Sequence, residues 1–442
     1  AMHNLAIALH RAGHTVSGSD DEIFEPSRTR LANLGLLPSA DGWFPEKITS
    51  ELDAIILGMH ARIDNPELLK AQELGLKIYS YPGYIYQESK DKTRAVIGGS
   101  HGKTSITAMV LHAMSHAGMD CDYLVGAQLK GFDTMVRIQP ETPRILLEGD
   151  EYLASPLERV PKFHLYHPHI ALLSGVAWDH INVFPTFESY VEQFSIFADK
   201  IEPNGALIYY SGDPELVKIA EGARSDIRLM PYDTHPFEIE NGVTQLLTSK
   251  GKVPLLVFGR HNLQNINGAR MVCNELGLSD DAFYAAIQSF GGAARRLELV
   301  HRNDFMSIFK DFAHSPSKLK ATTEAVREQF PGRKLIACME LHTFSSLNAQ
   351  FLEEYKGSME GADKAYVYFN PHTVEHKKLS PITSEQVRMA FGSNNVEVFN
   401  DSAKLLVALQ QEEWNNSTLL MMSSGNFDGI KFEELPQLLH LV

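Results

Sequence analysis

The chain has 442 residues, 44% hydrophobic and 21% charged, with a formal net charge of −15. That length holds two to four domains with sizeable cores, and the composition is that of a soluble globular protein. The acidic balance, without a long basic block, argues against nucleic acid as a partner, while local basic pockets still allow a phosphorylated substrate. No apolar run reaches the length of a membrane span, so no membrane partner is expected. The three cysteines, Cys121, Cys273 and Cys338, are odd in number and far apart. They fit reduced, buried thiols and a cytoplasmic location rather than a disulfide framework.

In chain order, residues 1–12 read as a helix with Met2, Leu5, Ala6, Leu9 and Ala12 on one side, stopped by Gly13. His14 to Asp20 reads as a strand ending in polar residues. An α/β sheet rarely opens on a helix, so a first strand and its glycine turn are expected to precede Ala1. Strands near 54–58 and 77–80 complete a first α/β block, residues 1–91.

The second block, residues 92–294, opens on Arg94 and the apolar run Ala95 to Ile97, which ends in Gly98-Gly99-Ser100-His101-Gly102-Lys103-Thr104-Ser105. Ile106, Met109, Val110, Ala113, Met114 and Ala117 then mark one face of a helix. A strand, a glycine-rich loop and a helix N-terminus together make a phosphate site. Loop amides and the helix dipole face the anion, Lys103 neutralises the outer phosphates, and the Thr104 hydroxyl suits Mg²⁺. The match to the general phosphate-loop pattern is imperfect, because its first glycine falls on Ile97. Arg144–Glu148 and Ile170–Ser174 suit buried parallel strands. A hairpin-like region near 205–258 and a helix after Asn262 follow, and Gly291 to Arg296 reads as a linker.

The third block, residues 295–442, alternates again. Strands are expected near 305–310, 334–339, 364–369, 396–399 and 418–422. A helix over 317–329 is opened by Ser315-Pro316. Such alternation argues for parallel sheets covered on both faces.

Four polar clusters sit at element ends. Glu148-Gly149-Asp150-Glu151 follows a strand beside the phosphate loop; it suits Mg²⁺, or is a solvated acidic turn. His180, in Trp178-Asp179-His180, is a candidate metal ligand or an ordinary surface histidine. His261, Asn262 and Asn265 open a helix and suit adenine recognition, or Asn262 simply caps it. Asp311, in Asp311-Phe312-Ala313-His314-Ser315-Pro316, orients ribose or phosphates, or caps a turn.

These clusters, in this order and spacing, resemble the Mur ligase family, the ATP-dependent enzymes that build or recycle the peptide of peptidoglycan precursors. The family pattern has Thr where Ser100 stands. Ser17-Gly18-Ser19-Asp20 and Asp64 to Leu68 look like the branch acting on UDP-N-acetylmuramate. The resemblance implies a three-domain α/β architecture: a Rossmann-like N-terminal domain lacking its first strand, a central ATPase domain, and a Rossmann-like C-terminal domain for the amine or peptide. It implies ATP and Mg²⁺ as cofactors, with Lys103, Glu148 and His180 catalytic and Thr104, Glu148 and His180 at the metal. Gly99 to Ser105, His261, Asn262, Asn265, Arg295, Arg296 and Asp311 would bind ATP. Ser19, Asp20, His60, Asp150, Glu151, His314 and His342 would face the other substrates. Phe194 stands where other members carry a carbamylated lysine, so no such modification is expected.

Within the branch, one member adds L-alanine and another adds L-alanyl-γ-D-glutamyl-meso-diaminopimelate during recycling. Asp150-Glu151-Tyr152, Lys162 to Tyr166 and Met422 to Ile430 look more like the tripeptide-adding member, with the L-alanine ligase as the alternative. Glu340 to Ser346 fits neither cleanly, since both relatives place arginine there and this chain has none between Arg333 and Arg388.

Overall fold

A computed structural model describes residues 2–129, 131–178, 183–240, 242–292, 297–392 and 395–439. The chain divides into two compact units, Ala1–His235 with Gln264–Gln288, and Pro236–Leu263 with Ser289–Val442.

The first unit opens on the helix Met2–Arg11, which buries Leu5, Ile7, Ala8 and Leu9. Strands β1 (Ile55–Leu57) and β2 (Ile78–Ser80) form a two-stranded parallel sheet. The strand expected over 14–18 does not form. Pairing near it is limited to an isolated bridge between Asp20 and Gly42. Val16 is the one apolar side chain in His14 to Asp20, so the segment has no alternating face to bury on a neighbour.

A seven-stranded sheet follows, built from β3 (Thr93–Gly98), β4 (Asp122–Leu124), β5 (Val136–Arg137), β6 (Arg144–Glu148), β7 (Ile170–Leu173), β8 (Ala206–Tyr210) and β9 (Arg228–Tyr232). Its order is β5-β4-β6-β3-β7-β8-β9, parallel except between β4 and β5. Val96, Ile97, Leu146, Leu147, Leu172 and Leu173 are fully buried, as expected of parallel strands covered on both faces. The hairpin reading of 205–258 is corrected for its first half. The helix Pro214–Glu221 links β8 to β9, so these strands run parallel rather than as a hairpin.

The antiparallel meander is β10 (Phe237–Glu240), β11 (Val243–Thr248) and β12 (Gly251–Pro254), in the second unit. Gln329 fastens it there, accepting a bond from Thr244 Oγ1 at 2.8 Å and donating to Gly242 O at 2.8 Å. Phe258 packs edge-on against Phe309 and Phe330.

The main sheet of this unit contains β13 (Glu298–Arg302), β14 (Met306–Asp311), β15 (Lys334–Leu341), β16 (Lys364–Phe369), β17 (Val396–Phe399) and β18 (Ser417–Met422). The order is β13-β14-β18-β15-β16-β17, with only the unforeseen β13 antiparallel. One core, with Leu319, Ala337 and Val367, lies on one face; another, with Ile308, Cys338 and Leu419, lies on the other.

Candidate active site

Strand β3 sits between β6 and β7, where the strand order turns back on itself. In open α/β sheets such a switch point opens a ligand crevice beyond the carboxyl ends of the strands. The loop after β3 enters it and leads into the helix Lys103–His116. Gly99 (φ +124°) and Gly102 (φ +80°) hold backbone that L-residues avoid. A Cβ on Gly102 would also lie 2.5 Å from Asn265 Oδ1, and one on Gly99 would collide with Ser174. Gly102 is the N-cap and has no side chain to offer, which leaves first-turn amides for an anion.

Lys103 Nζ donates to Gly99 O at 2.6 Å and to Glu151 Oε2 at 2.7 Å. Burial alone would lower its pKa, but Glu151, with Asp150 and Glu148 behind it, raises the value above the ordinary lysine range. Glu151 is 1% exposed and also accepts from Tyr190 OH at 3.1 Å. Tyr190 lies 2.9 Å from Ser100 Oγ, which accepts from Ala177 N at 2.8 Å. Glu151, expected to face substrate, is thus turned inward onto the loop lysine. Asp150 is held by Lys162 Nζ at 2.5 Å.

Thr104 Oγ1 donates to Glu148 Oε1 at 2.8 Å, and Gly126 N donates to Glu148 Oε2 at 2.8 Å. Burial raises the Glu148 pKa, against the opposing pull of those two bonds and of Lys103. A hydroxyl and one carboxylate beside a phosphate loop fit Mg²⁺, which keeps several waters and takes one or two protein oxygens plus phosphates. Among the described residues no three His, Cys, Asp or Glu converge as a metal cluster. His180, Arg295 and Arg296 lie outside the described residues.

The remaining expected residues separate by unit. Ser105 is buried in the loop helix and His101 packs on Gly175. Asn265 is buried beneath Gly102, and neighbouring Gln264 donates to Ser174 O at 2.9 Å. Asp20 bridges Gly42 beside half-buried Ser19, and His60 is exposed in the turn after β1. In the second unit Asn262 donates to Phe258 O at 2.8 Å, which closes the start of its helix, and His261 packs on Gly259.

Asp311 accepts from Ala313 N at 2.6 Å and Leu297 N at 2.7 Å, the geometry of a turn cap. His314 Nδ1 lies 2.8 Å from Phe312 O, and His342 Nδ1 lies 3.5 Å from Glu340 Oε1. Asp311 ends β14, and His342 and the Ser423–Gly429 loop follow β15 and β18, so all three lie at the carboxyl ends of adjacent parallel strands. Sequence reasoning passed over Tyr190 and Glu340. Tyr190 sits on a buried helix face and has the signature of a core residue. Glu340 is a carboxylate inside an apolar strand, a signal that was available.

Comparison with known proteins agrees with this layout. Residues 97–273 match the Mur ligase middle domain, and residues 295–425 match the Mur ligase glutamate ligase domain. A UDP-N-acetylmuramate–L-alanine ligase of Mycolicibacterium gilvum is 30% identical over 391 residues, covering 83% of this chain and 79% of the relative. The same-named protein of Lactiplantibacillus plantarum is 26% identical, covering 98% and 95%. Among solved structures, a murein peptide ligase from Psychrobacter arcticus aligns with a TM-score of 0.61 at 20% identity, covering 100% of this chain and 97% of that one. A UDP-N-acetylmuramate–alanine ligase from Thermotoga maritima aligns at 0.68 and 18%, covering 100% and 96%. At these identities the structural likenesses establish the fold.

Proposed function

Because the chain belongs to the Mur ligase family, with its three-domain α/β architecture and ATP-dependent amide-ligase chemistry, we propose that it joins the lactyl carboxylate of UDP-N-acetylmuramate to the amine of L-alanyl-γ-D-glutamyl-meso-diaminopimelate. The reaction belongs to peptidoglycan recycling and runs in the cytoplasm, where ATP and the nucleotide sugar are found. Residues 1–91 take the UDP-sugar, 92–294 take ATP, and 295–442 take the amine.

A carboxylate is a poor electrophile; transfer of the γ-phosphoryl group of ATP, with release of ADP, turns it into an acyl phosphate, and the amine then attacks the carbonyl carbon, giving up a proton as the C–O bond to phosphate breaks. Lys103 exchanges Glu151 for phosphate oxygens and neutralises charge as it moves. Thr104 and Glu148, with His180, would hold Mg²⁺, which would supply further positive charge against those oxygens. The amides of the loop and helix start orient the phosphates. Arg295 and Arg296 would add positive charge to the ATP phosphates, and exclusion of water would protect the activated acid from hydrolysis.

The observation that carries the tripeptide reading lies at the carboxyl end of the C-terminal sheet. No arginine stands between Arg333 and Arg388 to clamp a small amino-acid carboxylate, and the short Ser423–Gly429 loop after β18 is compatible with a longer substrate. The names of the sequence relatives favour a second reading, ligation of free L-alanine. The test is ADP release with ATP, Mg²⁺, UDP-N-acetylmuramate and each amine in turn, with products weighed by mass spectrometry. A product with the mass of UDP-N-acetylmuramate plus the tripeptide less one water supports the proposal; ADP release indifferent to both co-substrates would remove it.

A further inference from the structure

Glu340 lies next to the last residue of β15 and is 3% exposed. A carboxylate buried that deeply has to be paired. Its Oε2 accepts from Ser423 Oγ and, at 2.8 Å, from Phe427 N. Its Oε1 lies 3.5 Å from His342 Nδ1. The Ser423 hydroxyl in turn accepts from Gly425 N at 2.7 Å. One carboxylate therefore ties the end of β15 to the loop that leaves β18.

That loop needs holding. Phe427 (φ +50°), Asp428 (φ +59°) and Gly429 (φ +92°) are three successive left-handed residues, and two of them carry side chains. Backbone of this kind persists only where the surroundings impose it. The Phe427 ring is fully buried near Tyr368 and Phe432, and its amide is fixed by Glu340. A Cβ on Gly425 would lie 2.8 Å from Glu340 Oε2 and 2.9 Å from His342 Nδ1, so the loop backbone passes directly over the pair. His342 has the solvent access in this cluster, with its side chain 39% exposed. With Nδ1 turned to Glu340, its Nε2 is the edge left for a ligand.

We propose that Glu340 is the positioning residue of the amine-binding end. It fixes the His342 ring and the Ser423–Gly429 loop in the arrangement that receives the incoming amine substrate. Pre-organisation there takes the place of an arginine clamp. This rests on the ligase reading, in which the C-terminal domain takes the amine.

The test compares Glu340→Gln with wild type on whichever of L-alanine and the tripeptide the wild type takes. The KM for the amine should rise by about tenfold or more with kcat at saturating amine little changed, the pattern of lost uniform binding. The KM values for ATP and the UDP-sugar should stay put. The Phe427 amide, bonded to Glu340, should exchange hydrogen faster in the variant than in the wild type while the melting midpoint holds. Ser423→Ala, which keeps the Phe427 bond, should move the same quantities less, and it carries the test if Glu340→Gln folds poorly. An unchanged amine KM in a folded variant would overturn the proposal. So would a parallel fall of every kinetic constant with the melting midpoint, which marks a purely structural role. A wild-type preference for L-alanine would remove the tripeptide reading and leave this comparison intact.

Discussion

Replacing Lys103 with alanine should damage stability and rate by separate routes, and a second substitution pulls them apart. Lys103 is 16% exposed and Glu151 1%, with 2.7 Å between their charged atoms. Removing one partner of a buried pair destabilises by about 3–5 kcal/mol, because the other charge is left buried and unpaired. Tyr190 still donates to Glu151 at 3.1 Å, which puts the loss at the lower end, about 3 kcal/mol. Loss of one preorganised charge from the transition state should cut turnover by about 10²–10³-fold. Adding Glu151→Gln to Lys103→Ala removes the stranded charge. The double variant should therefore regain most of the stability and none of the rate. Denaturant unfolding and ADP release at saturating ATP measure the two quantities. A single variant with near-native turnover, or a double variant that recovers it, would refute the assignment of Lys103 to the phosphates. Because the Lys103 pKa is raised, the pair's contribution is full below the ordinary lysine pKa. It is lost as pH rises through the raised value, well above neutrality.

Glu148→Gln and His180→Ala should each raise the Mg²⁺ concentration for half-maximal ADP release and leave UDP-sugar binding unchanged; an unaltered Mg²⁺ dependence in both makes them structural turns. Gly102→Ala forces a Cβ into left-handed backbone and to within 2.5 Å of Asn265 Oδ1, so ATP affinity should fall and stability should drop by about 1–2 kcal/mol, read by ATP titration and thermal unfolding. Burial pushes the Glu412 carboxyl up, but bonds from Lys334, Lys364 and Tyr366 outweigh it and hold the pKa at about 2. That depressed pKa contributes stability above the unfolded value of about 4.3 and loses it as pH falls from there toward 2. Glu412→Gln should flatten unfolding free energy across that acid window, and an unchanged slope would show that the cluster does not hold in solution.

Much of the third block was legible because its strands are short, mostly apolar and separated by helical segments. The runs expected near 334–339, 364–369 and 396–399 appear as β15, β16 and β17. The phosphate loop was legible because only glycine tolerates φ +80° and +124° at Gly102 and Gly99. What stayed hidden depends on contacts distant in sequence. Glu151 reads as one more carboxylate in an acidic turn until Lys103 and Tyr190 close on it. Residues 206–232 have the strand pattern of a hairpin and also of a parallel pair, and the short helix Pro214–Glu221 decides between them. Residues 14–18 carry strand-forming Thr and Val but only one side chain to bury, so propensity misled where packing had nothing to act on.

The most direct test of the central claim is competition. Equimolar L-alanine and L-alanyl-γ-D-glutamyl-meso-diaminopimelate are offered together with ATP, Mg²⁺ and UDP-N-acetylmuramate, and both amide products are counted by mass spectrometry early in the reaction. The product ratio equals the ratio of the two kcat/KM values. The tripeptide product should dominate by about tenfold or more, as expected when one substrate makes contacts the other cannot. Dominance of the L-alanine product would contradict the account and make the chain an alanine-adding ligase.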